Sequence, residues 1–329
     1  MASRGACFRG IIVALRLFVG CLGLFLGSPR LSFAREVAHV SEAIKGGGVA
    51  SADDLFATVA ILDSQGDQEC SGVLLAPRWV LTAAHCLVIQ APRTGDIVTE
   101  LGPSNLSVVA GVVDASTASP QQLFQIRKIY LHPDFPISGT IDAVTLSTAN
   151  DIALLALREP VSLMPPAKIV AEEDANRLLV VGESIVITGY GDRDDAGNGS
   201  GSIYTAQTPF LARNTGEFSA GSPGMPDGCP GDSGGPAFVD VDGTRLLVGV
   251  SVRGLAQADG SECGNGGIYT FVPAYRSWID ATMMADFQHN GCSLCVWSSD
   301  QPATICCAML FIVALFLRRH WRYPRPSDC

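Results

Sequence analysis

The stretch Cys229-Pro-Gly-Asp-Ser-Gly-Gly-Pro236 decides how this chain is read. It sets one serine, Ser233, on a turn with Gly231, Gly234 and Gly235. A serine hydroxyl is a weak nucleophile until a base takes its proton and backbone N–H groups stabilise the oxyanion that follows. Glycines let the backbone turn sharply and aim those N–H groups at a ligand. The same residue types also build ordinary turns, so the partners of the serine must decide between the two. The base needs an orienting carboxylate in its turn. Of five histidines, His39 falls in a leader, His132 in a His-Pro turn, and His289 and His320 in the tail. That leaves His85, at the end of the strand-like run Trp79-Val-Leu-Thr-Ala-Ala-His85-Cys86. Asn150-Asp151-Ile-Ala-Leu-Leu-Ala-Leu157 sets an acid at the mouth of an apolar strand, where a buried aspartate is costly unless hydrogen-bonded.

Taken together, Leu81-Thr-Ala-Ala-His85-Cys86, Asn150-Asp151-Ile-Ala-Leu-Leu and Gly231-Asp-Ser-Gly-Gly-Pro236 resemble the trypsin/chymotrypsin-like serine proteases, in that family's His, Asp, Ser order. Ile129-Tyr-Leu-His-Pro-Asp-Phe135, Thr188-Gly-Tyr-Gly191 and Tyr275-Arg-Ser-Trp-Ile279 add smaller matches, and the resemblance covers roughly residues 44–285. It implies an all-β fold of two six-stranded Greek-key β-barrels with a C-terminal helix over Tyr275–Ala285 and the active site in the cleft between the barrels. It also implies a serine endopeptidase acting on protein or peptide substrates. Ser233 is then the nucleophile, His85 the general base and acid, and Asp151 the group that orients the imidazole. The N–H groups of Gly231 and Ser233 form the oxyanion hole. Asp227, six positions before Ser233, becomes the floor of the specificity pocket and pairs with a substrate Arg or Lys. Gly254 and Gly267 match the family's pocket-wall glycines.

One departure stands beside the pocket. Val252-Arg253-Gly254 occupies the place of the family's Ser-Trp-Gly. The serine normally supports the catalytic aspartate, and Ser251 restores that contact if the register slips by one residue. Arg253 near the entrance implies weaker binding of basic substrates or a preference for acidic residues beside the cut.

The chain has eleven cysteines, of which the region 44–285 holds four: Cys70, Cys86, Cys229 and Cys263. An even count in an exported domain points to disulfides, and sequence alone allows three pairings. The resemblance selects Cys70–Cys86 and Cys229–Cys263. A zinc site lacks a close C-x-x-C pair in this region, and the family's acidic calcium loop is not visible between Val108 and Gln125, so no metal and no cofactor is expected. Residues 44–285 carry 13 Lys/Arg against 27 Asp/Glu, which argues against a nucleic-acid partner. Short β-rich runs separated by Gly, Pro, Asn and Asp, among them Phe56–Leu62, Ile152–Leu157 and Leu246–Val252, read as all-β without help from any resemblance.

The ends read as processing segments. Arg4 and Arg9 precede the apolar run Ile11 to Gly27, and Ser32-Phe33-Ala34 offers a cleavage site, so residues 1–34 are expected to be a signal peptide. Residues 35–43 form a short propeptide, because Ile44-Lys-Gly-Gly47 resembles the new N-terminus these proteases expose on activation. Its amine would pair with buried Asp232. The residue before the cut is Ala43, so a different protease is expected to make it. The protease domain spans 44–285, a linker with a Cys motif 286–302, and a C-terminal tail 303–329. Ile305 to Leu317 is apolar and followed by Arg318-Arg-His-Trp-Arg322, short of the about 20 residues that span a bilayer. With Asn290-Gly-Cys-Ser-Leu-Cys295 it resembles bacterial C-terminal sorting signals, which implies membrane contact through this segment, a sorting protease, and an extracellular or periplasmic, surface-anchored domain.

Two other classes of function compete. A non-catalytic surface binding module that retains the protease fold would normally have lost a triad residue. An esterase would carry Gly-x-Ser-x-Gly followed by its acid and histidine, whereas His85 and Asp151 precede Ser233 here.

Overall fold

Strand β9 (Ala153–Leu157) is buried at every residue, and β2 (Thr58–Leu62) is as well. Such strands are covered on both faces and read as continuous apolar runs instead of alternating ones. The computed structural model describes residues 44, 46–50, 55–91, 96–136, 146–147, 149–194, 197–255 and 263–291, with side chains of the last helix to residue 288. The expected signal peptide, propeptide and C-terminal tail lie outside the described residues.

In chain order, β1 (Gly48–Val49) precedes β2, β3 (Gln68–Ala76) and β4 (Trp79–Thr82). The pair β5 (Val88–Gln90) and β6 (Ile97–Glu100) forms its own two-stranded sheet. Then come β7 (Ser107–Val109), β8 (Leu123–Leu131) and β9. Six of these close into an antiparallel barrel in the order β2-β3-β4-β9-β8-β7. After β10 (Lys168–Ile169) and the short helix α1 (Glu172–Leu178) the chain builds β11 (Ser184–Gly189), β12 (Tyr204–Arg213), β13 (Glu217–Ala220), β14 (Pro236–Val241), β15 (Thr244–Gly254) and β16 (Gly267–Phe271). These run β12-β11-β14-β15-β16-β13, and β13 pairs back onto β12 to close a second six-stranded barrel. In β12, buried Tyr204, Ala206 and Thr208 alternate with more exposed Thr205, Gln207 and Pro209, as expected of a strand with one solvated face. The two-barrel fold with a C-terminal helix is thus the one expected.

The closing helix differs in extent. A 3-10 turn at Val272–Tyr275 leads into α2 (Arg276–Gly291), which runs past the expected boundary at Ala285 into the expected linker. Ile279 is buried, and Trp278 and Met283 pack on the core, as the apolar face predicts. Beyond them Met284 and Phe287 are exposed, so apolar patterning stops. A polar anchor carries the helix on: Asp286 accepts a hydrogen bond from Tyr130 Oη and pairs with Arg127, both on β8.

The turn around Ser233 can be built only from glycine. Gly234 sits at φ +80°, and a Cβ there would lie 2.0 Å from Thr82 Oγ1 and 2.3 Å from the Ser71 carbonyl oxygen. Both neighbours are themselves fixed, since Thr82 Oγ1 donates to Ser71 O at 2.8 Å. Gly234→Ala is therefore expected to destabilise the fold by about 2–4 kcal/mol. Urea unfolding checks this: the midpoint should fall at unchanged slope, and a midpoint equal to wild type would contradict it.

Candidate active site

The antiparallel register Thr82↔Ala153 sends the chain beyond β4 and the chain before β9 off the same end of their ladder. His85, three residues after Thr82, and Asp151, two before Ala153, meet there. Asp151 Oδ1 accepts from the His85 backbone N–H at 2.9 Å, and Oδ2 lies 2.7 Å from His85 Nδ1. Asp151 is 2 % exposed and the His85 side chain 26 %. Two contacts from one carboxylate fix the ring and put the Nδ1 proton on the aspartate side. Burial pushes the His85 imidazolium toward deprotonation. The charge and hydrogen bond of Asp151 outweigh that and hold its pKa above the ordinary histidine value, while Arg253 works against them.

Ser233 reaches the same place from the second barrel. Cys86 Sγ lies 3.9 Å from His85 Nε2 and 3.7 Å from the Ser233 carbonyl oxygen, so the serine and the imidazole lie against one sulfur. Among the described residues the structure forms no hydrogen bond between Ser233 and His85; such contacts are often long before substrate binds. The serine turn is gripped by β3. Ser71 N donates to Ser233 O at 2.8 Å, and Ser71 Oγ and Gln68 Nε2 each donate to Gly231 O at 2.9 Å. Ser71 Oγ also accepts from Tyr190 N. Those bonds hold the Gly231 carbonyl against β3, with Gly231 at φ +86°. The N–H groups of Gly231 and Ser233 meet no acceptor among the described residues and remain available to an oxyanion.

Asp227 is 2 % exposed. Its Oδ1 accepts from Gly228 N at 2.8 Å, and its Oδ2 from Gly264 N at 3.1 Å and Gly266 N at 2.9 Å. Burial raises its pKa, and these backbone donors, with that of Asn265, oppose the rise. Gly254 and Gly267 pair across β15 and β16 beside it. A Cβ on Gly267 would come 3.2 Å from Asp227 Oδ1, so that glycine keeps space open over the carboxylate.

The cysteines pair as Cys70–Cys86 and Cys229–Cys263. The first ties the histidine turn to β3, and the second ties the Asp227 segment to the stretch before β16. Cys70, His85 and Cys86 bring three donor atoms within 4.8 Å of one another, but the disulfide consumes both thiolates. That cluster therefore offers a metal only the imidazole.

Asp232 is 3 % exposed, and its oxygens accept from Gly191 N and Cys229 N at 2.9 Å each. Asp232 also accounts for the glycines of Thr188-Gly-Tyr-Gly191. A Cβ on Gly189 or Gly191 would strike Asp232 at 2.2 Å or 2.4 Å. Ile44 is 1 % exposed and lines a small cavity with Asp232, Gly228, Ser251 and Tyr269. Burial, opposed by the two backbone donors and reinforced by Asp227 and Asp192, pushes the Asp232 pKa up to about 7. Because the folded value is raised, the stability this group contributes is full below about pH 4 and is lost as pH rises through about 7, on the order of 4 kcal/mol at most. Uncut wild type should therefore lose more stability than Asp232→Asn between pH 5 and pH 8. Urea midpoints at the two pH values check this, and equal losses would contradict it.

Ser251 and Arg253 resolve the departure seen in the sequence. A β-bulge separates the rungs Ser251↔Tyr269 and Arg253↔Ile268. The register does slip, yet Ser251 forms no hydrogen bond to Asp151 among the described residues. Its Oγ would lie 3.7 Å from a Cβ on Gly228, on the Asp232 side. Thr270 takes up support of the aspartate instead, donating from Oγ1 to Asp151 O at 2.8 Å. Ser71, Gln68 and Thr270 escaped the sequence reading because each acts on a residue more than 100 positions away, with no local pattern to mark it.

A family described as Trypsin matches residues 44–279. Vitamin K-dependent protein C of Mus musculus is 33 % identical over 243 residues, covering 67 % of this chain and 47 % of that protein. The protein of the same name from Rattus norvegicus is 32 % identical over 243 residues, with the same coverage of 67 % and 47 %. The chain thus spans about half the length of these relatives. With the match extending over both barrels and into the closing helix, the chain belongs to the trypsin family of serine proteases.

Proposed function

We propose that the protein is a serine endopeptidase that cuts after Arg or Lys, with His85, Asp151 and Ser233 as its triad. The observation that carries this reading is the buried Asp151 carboxylate 2.7 Å from His85 Nδ1, beside a serine turn with two unengaged N–H groups. Ser233 Oγ attacks the scissile carbonyl carbon as His85 Nε2 takes its proton. Gly231 N and Ser233 N hold the oxyanion. Collapse breaks the C–N bond, and His85 returns the proton to the leaving amine. Water, deprotonated by the same imidazole, then hydrolyses the acyl ester. Asp227 receives the substrate cation, in a pocket kept open by Gly254 and Gly267.

Activation by a cut after Ala43 fits Asp232, a buried carboxylate with no cation beside it among the described residues. The freed Ile44 amine would supply that cation, because the Ile44 side chain already lines the same cavity. Cleavage by a separate protease is part of this reading, since Ala43 is not a residue Asp227 would select. Export outside the cytoplasm is supported by the two disulfides. Among the described residues no helix is long and apolar enough to cross a membrane, and the proposed membrane or sorting tail at 303–329 lies beyond them.

Digestion of a mixed peptide library by the chain cut before Ile44, with the cuts mapped by mass spectrometry, tests the reading. Cuts after Arg and Lys are expected. Cuts after Ala or Phe instead would defeat the Arg/Lys assignment, and an absence of cuts by folded, cut protein would favour the binding module.

A further inference from the structure

Glu217, on β13, is an acid only 1 % exposed, and no feature of the sequence singled it out. It binds Arg253 in a two-pronged pair, Nη1 to Oε1 at 2.8 Å and Nη2 to Oε2 at 2.8 Å. The Arg253 side chain is itself only 12 % exposed. The remaining lone pairs of the carboxylate turn to the segment that leads into the catalytic aspartate. Oε2 accepts from Ser147 N at 2.6 Å and Oε1 from Ser147 Oγ at 3.2 Å. Asn214 Nδ2 donates to Ser147 O at 3.0 Å, completing the hold on that residue. Glu217 faces Thr270 across the ladder, and Thr270 in turn donates to Asp151 O. One rung of the second barrel thus holds both Ser147 and Asp151, which lead into β9 of the first.

We propose that Glu217 is a positioning residue for the His85–Asp151 pair, latching Ser147 and Asp151 to the second barrel, with half-buried Arg253 as its counter-ion. A carboxylate this deeply buried needs a paired and hydrogen-bonded partner, and Arg253 supplies both. The arginine is committed to Glu217 through both terminal nitrogens. Its charge at the groove is largely neutralised, so it acts as part of the latch and not as a receptor for acidic side chains.

The charges around His85 give the latch a readout. Asp151 faces the imidazole from the chain before β9, Arg253 from β15, and Glu217 stands behind Arg253. Cys86 is locked in its disulfide. Tyr275, near both acids, has its pKa raised to about 12 by burial and by Glu217 and Asp151, and stays neutral. Glu217→Gln removes the negative charge that faces Arg253 and should lower the His85 titration midpoint by roughly half a unit to one unit. Arg253→Met should raise it by a similar amount, and the double variant should return near wild type, as a coupled pair requires. Glu217→Asp keeps the charge but falls short of Ser147. Its midpoint should stay put while kcat drops roughly 3- to 10-fold at little change in KM, the mark of a misplaced catalytic pair.

The test is NMR titration of His85 in the full chain, assigned with His85→Gln, alongside thermal unfolding of each variant and steady-state kinetics after cleavage before Ile44. Opposite shifts that cancel in the double variant support the proposal. Unmoved midpoints in folded variants, or shifts of the same sign, overturn it. If neither charge-removing variant folds, Glu217→Asp decides, and unchanged kcat overturns the latch. The inference rests on the triad reading for its effect on turnover, but the titration needs no turnover. Correct shifts in a wild-type protein that hydrolyses nothing would sink the triad reading alone.

Discussion

Ser233→Ala is expected to lower kcat/KM for peptide hydrolysis by about a million-fold, leaving the fold intact. The magnitude follows from how the site is wired. On the proposed mechanism His85 is set by Asp151 to receive one proton, and without the serine hydroxyl no group stands in its path. What survives is binding and whatever the Gly231 and Ser233 N–H groups do for direct attack by water. The substitution removes one oxygen from a turn held through backbone atoms. Ser71 N still reaches the residue 233 carbonyl, and Asp232 keeps its two backbone donors. Thermal unfolding should therefore match wild type. A variant that retains more than about a thousandth of wild-type activity would mean that the chemistry does not pass through this serine.

Asp227→Ser should cost roughly 100- to 10,000-fold in kcat/KM on Arg and Lys substrates and far less on apolar ones. The carboxylate is almost wholly buried and reached by the backbone N–H groups of Gly228, Gly264, Asn265 and Gly266. A substrate cation entering that site is desolvated and needs the full negative charge; a serine hydroxyl supplies a hydrogen bond alone. The direction of the Asp227 pKa adds a second check. Burial raises it, so KM for a basic substrate should climb as pH falls through the titration of this group, and Asp227→Ser should lose that limb. Kinetics on matched Arg, Lys and Leu peptides decide the matter. An equal loss on all three would show a collapsed pocket and not a missing charge.

Much of the fold and part of the site could be read from short windows of sequence. The run Ile152–Leu157 announced an apolar strand, and β9, buried at every residue, is that strand. The segments around His85, Asp151 and Ser233 are each a few residues long and carry their own spacing, so a resemblance could be recognised window by window. The disulfide partners followed from the same resemblance. What stayed hidden is what joins distant windows. Glu217 and Arg253 are 36 residues apart and leave no periodic trace, because one lone charge in a strand usually points to water. The β-bulge after Ser251 turns on a single residue of register, which no hydrophobic pattern records. The extension of α2 to Gly291 depends on Asp286 meeting Arg127 and Tyr130 more than 150 residues earlier, while its own apolar stripe ends at Met283.

The central claim is that Ser233 is a nucleophile activated by His85 and Asp151. Treating the chain cut before Ile44 with a fluorophosphonate, and mapping the adduct by peptide mass spectrometry, tests it most directly. The account predicts one adduct per chain, on Ser233, with labelling slowed at least a thousand-fold in His85→Ala. No adduct on folded, cut protein, or labelling of Ser233 at the same rate without His85, would contradict it.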